Sequence, residues 1–401
     1  MPATCDAVVA GHLCLDVIPD LHGRWEGDFA TRFVPGRLLD VGPVMLSTGG
    51  AVSNAGLALH RLGISTLLMG KIGDDLFGHA VRQVIMAYAA GPSTRSGQAL
   101  TDALIVDRSV ATSYTIIINP PGVDRIFLHC PAANDSFGAD DVRYDVLSAA
   151  RLFHFGYPPL MKRMYAEQGR ELVEIFRRAR AAGVTTSLDL ALPDPASPAG
   201  RADWLAILAA VLPDVDIFLP SIEEILYMLR RETYEALRPA GVLAGITPDL
   251  LSDLAREILA MGVRVLALKL GDRGLYVRTT ADAAALAGMG RGAPADAAGW
   301  AGRELWAPCF QVQVAGATGA GDATVAGLLS GLLRGLSLQA AVQAAVGVGA
   351  CNVEAPDALS GLRTWEETLQ RIETGWPQHA LELAASGWRY DAVQRLWVGP
   401  G

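Results

Sequence analysis

The chain has 401 residues, a hydrophobic fraction of 51% and a net charge of −9, so it can bury a large core and is not expected to be disordered. The acidic balance argues against a nucleic-acid partner, which would require a basic face. Five widely spaced cysteines without a CxxC pair favour neither a zinc site nor a disulfide scaffold, and indicate a reducing, cytoplasmic location. The uncharged stretch over 335–353 contains Gln and Asn and predicts a buried helix, so no membrane span is expected.

Apolar runs and helical spacing alternate along the first part of the chain. The elements predicted there are strands over 6–18 and 66–72, helices over 51–62 and 77–89, and an inserted loop or small sheet over 21–47. Two alternating runs, over 113–119 and 125–130, flank a Pro-Pro-Gly turn and predict a β-hairpin.

The second part of the chain repeats short apolar runs separated by helical segments. The elements predicted there are buried strands over 151–155, 184–190, 215–219 and 263–270, a long helix over 162–182, a long loop over 282–302, and apolar helices over 322–333 and 338–353. This alternation predicts an α/β fold, in which a mostly parallel sheet carries helices on both faces.

The most informative motif is Gly316-Ala-Thr-Gly-Ala-Gly-Asp322, followed at once by an apolar helix. Glycines let the backbone turn tightly and expose its N–H groups, and a helix that begins there adds positive potential, so the motif suits an anion. A carboxylate at Asp322 would repel phosphate but could take a proton from a hydroxyl beside it. From spacing alone, an ordinary glycine turn with Asp322 as helix N-cap is equally consistent. No Walker A sequence is present.

Two features of the N-terminal part suit a polyol. Gly49-Gly50 opens the helix that contains Asn54, whose amide can both donate to and accept from hydroxyls. Asp16 ends the first predicted strand, and its carboxylate can accept two hydroxyl donors. A plain glycine turn and a strand-end turn residue are the alternative interpretations.

Two further turns carry charged side chains directly after predicted strands. Lys269-Leu-Gly271-Asp-Arg-Gly274 follows a buried strand, and the lysine could reach a phosphate or simply be solvated. Ser221-Ile-Glu-Glu224 follows another strand, and Glu224 offers the oxygen chemistry that Mg²⁺ prefers. An acidic first helical turn that complements the helix dipole is the alternative for Glu224.

In this order, the motifs resemble those of the ribokinase-like (pfkB) carbohydrate kinases. The resemblance implies a three-layer α/β/α sandwich with a small β-sheet lid, ATP and Mg²⁺ as cofactors, and a small sugar as substrate. The resemblance implies that Asp322 is the catalytic base and that the amides of Gly319, Ala320 and Gly321 form the anion hole. It assigns sugar binding to Asp16, Gly49, Gly50 and Asn54. It assigns ATP binding to Lys269, Gly271, Gly274 and Asn352, and Mg²⁺ binding to Glu224.

The resemblance places a kinase domain over 1–372, with the lid drawn from about 19–47 and 107–132, and a C-terminal extension over 373–401 that packs on it. A homodimer through the lid is one assembly that it allows. Gly316 stands where the family pattern has an Asp that helps bind a monovalent cation in some members, and this leaves the cation dependence open.

Two rival functions remain from the sequence. A nucleoside kinase of the same fold would need aromatic rings near the sugar, which Phe127, Phe137 or Tyr157 could supply. A non-catalytic sugar or nucleotide sensor is the other, since Gly316 and Ser221 depart from the family pattern.

Overall fold

The protein was analysed as a computed structural model, which describes residues 5–21, 34–89, 100–119, 125–383 and 385–401. The strands of these residues are, in chain order, β1 Ala7–Gly11, β2 Cys14–Pro19, β3 Val44–Gly49, β4 Thr66–Met69, β5 Lys71–Gly73, β6 Ile105–Asp107, β7 Tyr114–Ile118, β8 Ile126–Cys130, β9 Leu152–Gly156, β10 Thr185–Asp189, β11 Ile217–Phe218, β12 Val265–Lys269, β13 Leu275–Thr279, β14 Glu304–Ala307, β15 Arg389–Asp391 and β16 Leu396–Val398.

The larger sheet contains ten strands within the described residues, in the order β15-β16-β14-β13-β12-β11-β10-β9-β1-β4. Neighbouring strands pair in parallel along the series β4, β1, β9, β10, β11 and β12. The sheet continues from β12 through β13, β14, β16 and β15 with antiparallel pairing. Because the carboxyl ends of parallel strands meet at one edge, the residues that follow them converge there.

Helices cover both faces of this sheet. The longer ones are α1 Ala51–Arg61, α2 Leu76–Ala89, α3 Arg170–Ala181, α4 Trp204–Val211, α5 Ile222–Leu229, α6 Arg231–Leu237, α7 Pro248–Ala260, α8 Ala320–Leu333, α9 Leu338–Asn352 and α10 Trp365–Glu373. Along β1, Val9 packs into the core that contains α1, α8 and α9, whereas Val8 packs into the core that contains α3 and α7. The predicted three-layer α/β/α sandwich is confirmed. Every helix of the described residues is too short or too polar to span a lipid bilayer.

Within the described residues, a separate four-stranded sheet has the order β3-β2-β7-β8 and contains the two strands of the predicted hairpin as the antiparallel pair β7 and β8. The Pro-Pro-Gly turn predicted between them lies outside the described residues. The single strand predicted over 6–18 is wrong, because the chain leaves the main sheet after Gly11 and enters the small sheet at Cys14. Gly11 has a φ of 121°, and a Cβ there would collide with Gly156 of β9. Asp16 therefore lies in the small sheet. The part of the predicted insertion over 22–33 lies outside the described residues.

Three other boundaries differ from the sequence prediction. The long helix predicted over 162–182 is broken, since Glu167 and Gln168 adopt left-handed backbone angles between Lys162–Tyr165 and Arg170–Ala181. The loop predicted over 282–302 contains two short helices, Ala283–Ala287 and Ala297–Trp300, capped by Asp282 and Asp296. The strand predicted over 66–72 is two strands, β4 and β5.

The C-terminal segment joins the main sheet. β16 pairs with β14 and β15 pairs with β16, both antiparallel, so the tail provides two strands at that edge. Trp388 packs against the rings of Tyr276 and Trp306, with centroids 6.3 and 6.4 Å away. The tail thus packs on the main sheet and extends its edge.

Candidate active site

The glycine motif forms a tight turn into α8. Gly319 is the N-cap, with a φ of 74°, and a Cβ there would collide with Ala358. No side chain caps the helix. The amide of Ala320 donates to Ala317 O at 3.3 Å, and Gly321 lies beside the Lys269 side chain. The helix N-terminus therefore points its positive potential at the place where an anion hole was predicted.

Asp322 lies in the first turn of α8 and is 2% exposed. Its Oδ2 accepts hydrogen bonds from Tyr157 Oη at 2.7 Å and from Asn54 Nδ2 at 3.1 Å. Its Oδ1 has no hydrogen-bond partner among the described residues. The carboxylate is thus held through Oδ2, whereas Oδ1 is buried without a partner in the described part of the chain, and Asp322 itself lines neither of the two cavities described below.

Burial raises the pKa of Asp322 above its ordinary value, while Tyr157, Lys269 and Asn54 act to lower it. A raised carboxylate pKa makes a better proton acceptor, because the best general base has a pKa near the working pH. The hydrogen bonds from Tyr157 and Asn54 favour the ionised form and oppose this rise in pKa.

The double-glycine motif contributes to the same site through close contacts. A side chain at Gly49 would collide with the carboxylate of Asp16, and Gly50, with a φ of 91°, packs on His12. Asn54, one turn into α1, reaches Asp322. The structure therefore brings the N-terminal and C-terminal motifs together around one carboxylate.

Asp16 lines a cavity of about 310 Å³ between the small sheet and the glycine turn. The polar side chains that line this cavity are Asp16, Asp20, Ser47, Thr48, Asn119, Arg125, Thr318 and Asp357. Burial raises the pKa of Asp16 to about 6, although Cys14 and Thr115 donate to its carboxylate and act in the opposite direction. Of the four residues predicted to bind sugar, only Asp16 lines this cavity.

A second cavity, of about 300 Å³, lies on the other side of the same turn. Lys269, Gly271 and Gly274 line it together with Ala320 and Gly321. Its remaining walls are mostly apolar and come from residues 309–314 and from α9. An apolar slot with a few polar groups at one end suits a heteroaromatic base with a charged tail.

Lys269 forms an ion pair with Asp189, at 2.5 Å from Nζ to Oδ1. Asp189 ends β10 and is fully buried, and its Oδ2 has no hydrogen-bond partner within the described residues. Burial acts to lower the pKa of Lys269, but Asp189 and Glu224 outweigh it and raise that pKa, so the ammonium stays charged. The charged side chain of Lys269 lies beside the glycine turn at Gly321.

Two predicted residues have structural roles that the sequence did not assign. Glu224 accepts a hydrogen bond from the amide of Ser221 at 2.7 Å in a capping box of α5, a contact different from the helix-dipole alternative that the sequence left open. Asn352 does not line the nucleotide-side cavity; its Nδ2 donates to Thr318 O at 2.9 Å and so supports the glycine turn. In the described residues, no three acidic, His or Cys side chains form a metal cluster.

Sequence reasoning missed the hydroxyl of Tyr157 as a partner of Asp322. Tyr157 directly follows β9 and has a left-handed backbone, with a φ of 65°. The rule that functional residues follow the carboxyl ends of parallel strands could have indicated this position. Its contact with residue 322 could not be read from the sequence.

The fold agrees with comparisons to known proteins. A family model described as pfkB family carbohydrate kinase matches residues 6–365. The chain belongs to the pfkB family of carbohydrate kinases. It is similar to fructokinase-1 of Zea mays, with 24% identity over 362 residues that cover 86% of this chain and 96% of that protein.

Solved structures share the fold at low identity. A fructokinase with bound ATP from Xylella fastidiosa has a TM-score of 0.65 at 19% identity, covering 92% of this chain and 98% of that one. An Arabidopsis thaliana ribokinase complexed with ribose and ATP has a TM-score of 0.66 at 16% identity, covering 92% and 99%. A nucleoside kinase of Methanocaldococcus jannaschii has a TM-score of 0.60 at 16% identity, covering 92% and 99%.

Proposed function

We propose that this protein transfers the γ-phosphoryl group of ATP to a hydroxyl of a small sugar or related polyol, with Asp322 as the general base. One observation carries the proposal. The turn that leads to Asp322 lines both cavities, through Thr318 on the side of Asp16 and through Ala320 and Gly321 on the side of Lys269. A group transferred between molecules in the two cavities must pass this turn.

The reaction needs one proton acceptor and one anion site. The substrate hydroxyl approaches the unpartnered Oδ1 of Asp322, which takes its proton as the hydroxyl oxygen bonds to the γ-phosphorus. The bond from that phosphorus to the β–γ bridging oxygen breaks, and ADP leaves. The amides of Gly319, Ala320 and Gly321 and the Lys269 ammonium stabilise the charge on the moving group.

The nucleotide would lie along Lys269, Gly271 and Gly274, with its base in the apolar part of the cavity. Mg²⁺ fits the site in the manner usual for ATP, held by the phosphates and by one protein carboxylate rather than by a protein cage. Glu224 would hold it through water, since its charge already acts on Lys269, Asp189 and Asp322. When bound, Mg²⁺ neutralises charge on the phosphates.

The cavity at Asp16 favours a sugar over a nucleoside. No aromatic side chain lines it among the described residues. Phe137 is fully buried in the core, and Tyr157 donates to Asp322, so neither is available to stack on a base. Carboxylates and hydroxyls make up six of the eight polar side chains in the lining, which suits a molecule rich in hydroxyl donors.

Three further properties belong to the proposal. We place the enzyme in the cytoplasm, on the reduced cysteines, although one curated relative is named as chloroplastic. A homodimer through the small sheet is supported by exposed apolar residues on β3 and β8, including Met45 and Phe127. The kinase domain spans 1–372, and the extension over 373–401 packs on it.

A substrate panel tests the function directly. Purified protein with Mg²⁺-ATP is offered hexoses, pentoses, their reduced polyols and nucleosides, and ADP release is measured with Asp322→Asn as the blank. We expect turnover with at least one sugar or polyol and little with nucleosides. Turnover on nucleosides alone would favour the nucleoside kinase, and ATP binding without turnover on any polyol would favour the sensor.

A further inference from the structure

The wall of the nucleotide-side cavity formed by residues 309–314 is backed by a segment outside the family match, which ends at residue 365. Residues 376–379 run antiparallel to residues 309–311. Gln311 N donates to Pro377 O and His379 N donates to Cys309 O, both at 2.8 Å. Phe310 and Gln378 form an isolated β-bridge between these hydrogen bonds. The tail therefore backs the strand-like segment that lines the cavity.

Aromatic stacking fixes this wall. The rings of Phe310, which lines the cavity, and Trp376 stack with centroids 4.5 Å apart and planes 20° apart. Both side chains are buried, and Trp376 Nε1 donates to Gln311 O at 2.9 Å. The guanidinium of Arg371 lies 3.6 Å from the Trp376 centroid and covers its ring. Phe310 is thus held in place by the tail.

α9 also ties the tail to the cavity. The side-chain amide of Gln343 donates to Gln394 O at 2.8 Å and to Arg395 O at 3.0 Å. The same helix lines the opposite wall through Val346 and Gly349. The tail is therefore bonded both to residues 309–311 and to α9, and both of these segments contribute to the cavity lining.

His379 is the residue of the tail that lines the cavity itself. It lies near Cys309 and Gly271, and its neighbours on this side are mostly apolar, including Val312 and Phe310. An imidazole can donate and accept hydrogen bonds and can stack, so it suits the edge or face of a purine. Lys269 and Gly321 provide the charged end of the same cavity, for the phosphates.

We propose that residues 376–379 are part of the nucleotide site and that His379 contacts the purine base, which makes the tail a determinant of nucleotide affinity and base choice. This inference rests on the proposed function. It adds that recognition of the base depends on residues beyond the part of the chain that the family model matches.

The test compares His379→Ala with the wild-type full-length enzyme, using ADP or GDP release on its best sugar. The expected result is a rise in KM for ATP of about 5- to 10-fold, the size of one lost hydrogen bond or stack. The ratio of kcat/KM for ATP to that for GTP should change, while KM for the sugar and kcat at saturating ATP stay as in wild type. An unchanged KM for ATP together with an unchanged ATP-to-GTP ratio would overturn the inference.

Two control variants distinguish a direct contact of His379 with the base from a structural effect on the tail. His379→Gln keeps a donor and an acceptor, so it should recover most of the affinity for ATP. Val393→Ser alters a tail residue that is 86% exposed and should leave every constant unchanged. A wild-type enzyme that binds no nucleotide in calorimetry would overturn the proposed function as well. An active wild type, with a His379→Ala variant whose KM for ATP and ATP-to-GTP ratio are unchanged, would overturn only this inference.

Discussion

The side-chain amide of Asn54 donates a 3.1 Å hydrogen bond to Asp322 Oδ2 across 268 residues of sequence. Asn54 lies one turn into α1 and Asp322 lies in the first turn of α8, so the contact joins the starts of two helices that pack against each other. Tyr157 occupies the same oxygen, which leaves Oδ1 as the acceptor. This arrangement fixes the orientation of the carboxylate before any substrate arrives.

Asp322→Asn removes the proton acceptor with little change in shape. Turnover should fall by about 10²- to 10⁴-fold, the range for loss of a general base. Affinity for a non-hydrolysable ATP analogue, measured by calorimetry, should stay close to wild type because the amides of the turn remain. Asp249→Asn, on the exposed surface of α7, is the matched control and should be fully active. Near-normal turnover by Asp322→Asn would contradict the mechanism.

Tyr157→Phe keeps the ring and removes the donor to Asp322. The phenol stabilises the ionised carboxylate and lowers its pKa, so its loss should raise that pKa and move the acid limb of the kcat profile to higher pH. A hydrogen bond to a charged group contributes about 1.5–3 kcal/mol, equivalent to about one to two pH units. Tyr165→Phe is the control. An acid limb that does not move would mean that Tyr157 does not act on the base.

Asp16→Asn should have distinct effects on the pH dependence of stability and on substrate binding. The pKa of Asp16 in the folded state is raised to about 6, so the folded protein binds this proton more tightly than the unfolded chain. Wild-type stability should therefore fall as pH rises from about 4 to 6, and remain lowered at pH 7. The Asn variant should lose this dependence, with a higher Tm than wild type at pH 7 and a smaller difference at pH 4.

The same variant should bind sugar more weakly. A neutral amide replaces a carboxylate that can accept two hydroxyl groups, and hydrogen bonds to charged groups contribute about 1.5–3 kcal/mol, so KM for the sugar should rise about 10-fold or more. KM for ATP should not change. A lower Tm at pH 7 in scanning calorimetry, or an unaltered KM for the sugar, would contradict this account of Asp16.

Lys269→Met should leave the buried carboxylate of Asp189 without its partner. Breaking a buried ion pair from one side costs about 3–5 kcal/mol, which urea unfolding would measure. The double variant Lys269→Met/Asp189→Asn should regain most of that stability. It should still show weak ATP binding, since the ammonium beside Gly321 is missing. Recovery of ATP affinity along with stability would show that Lys269 serves the fold alone.

The sequence predicted the parts of the site that depend on glycine. Gly50 and Gly319 have positive φ values and no room for a Cβ, so a short local pattern was sufficient to locate them. The layered α/β fold followed from the alternation of apolar runs, which is also a local property. Residues whose role is set by their own backbone were thus accessible from the sequence.

Contacts between residues far apart in the sequence could not be predicted from local patterns. Glu224 and Asn352 carry oxygens that suit a ligand, but Glu224 also caps α5 and Asn352 also supports Thr318, and spacing alone could not reveal these contacts. The pairing of β16 with β14 depends on register between segments about ninety residues apart, which a tail with three tryptophans does not encode locally. The break after Gly11 was missed because the apolar run resumes at Leu13 directly after His12 and continues into β2.

That break has a mechanical consequence. Only His12 and Leu13 separate β1 from β2, and Asn134 holds the Leu13 backbone at both ends, accepting from its N–H at 3.1 Å and donating to its carbonyl at 3.0 Å. A crossing this short and doubly pinned cannot serve as a hinge. The strand that carries Asp16 is therefore anchored to the centre of the molecule, and we expect any movement of the small sheet to involve its outer strands rather than β2.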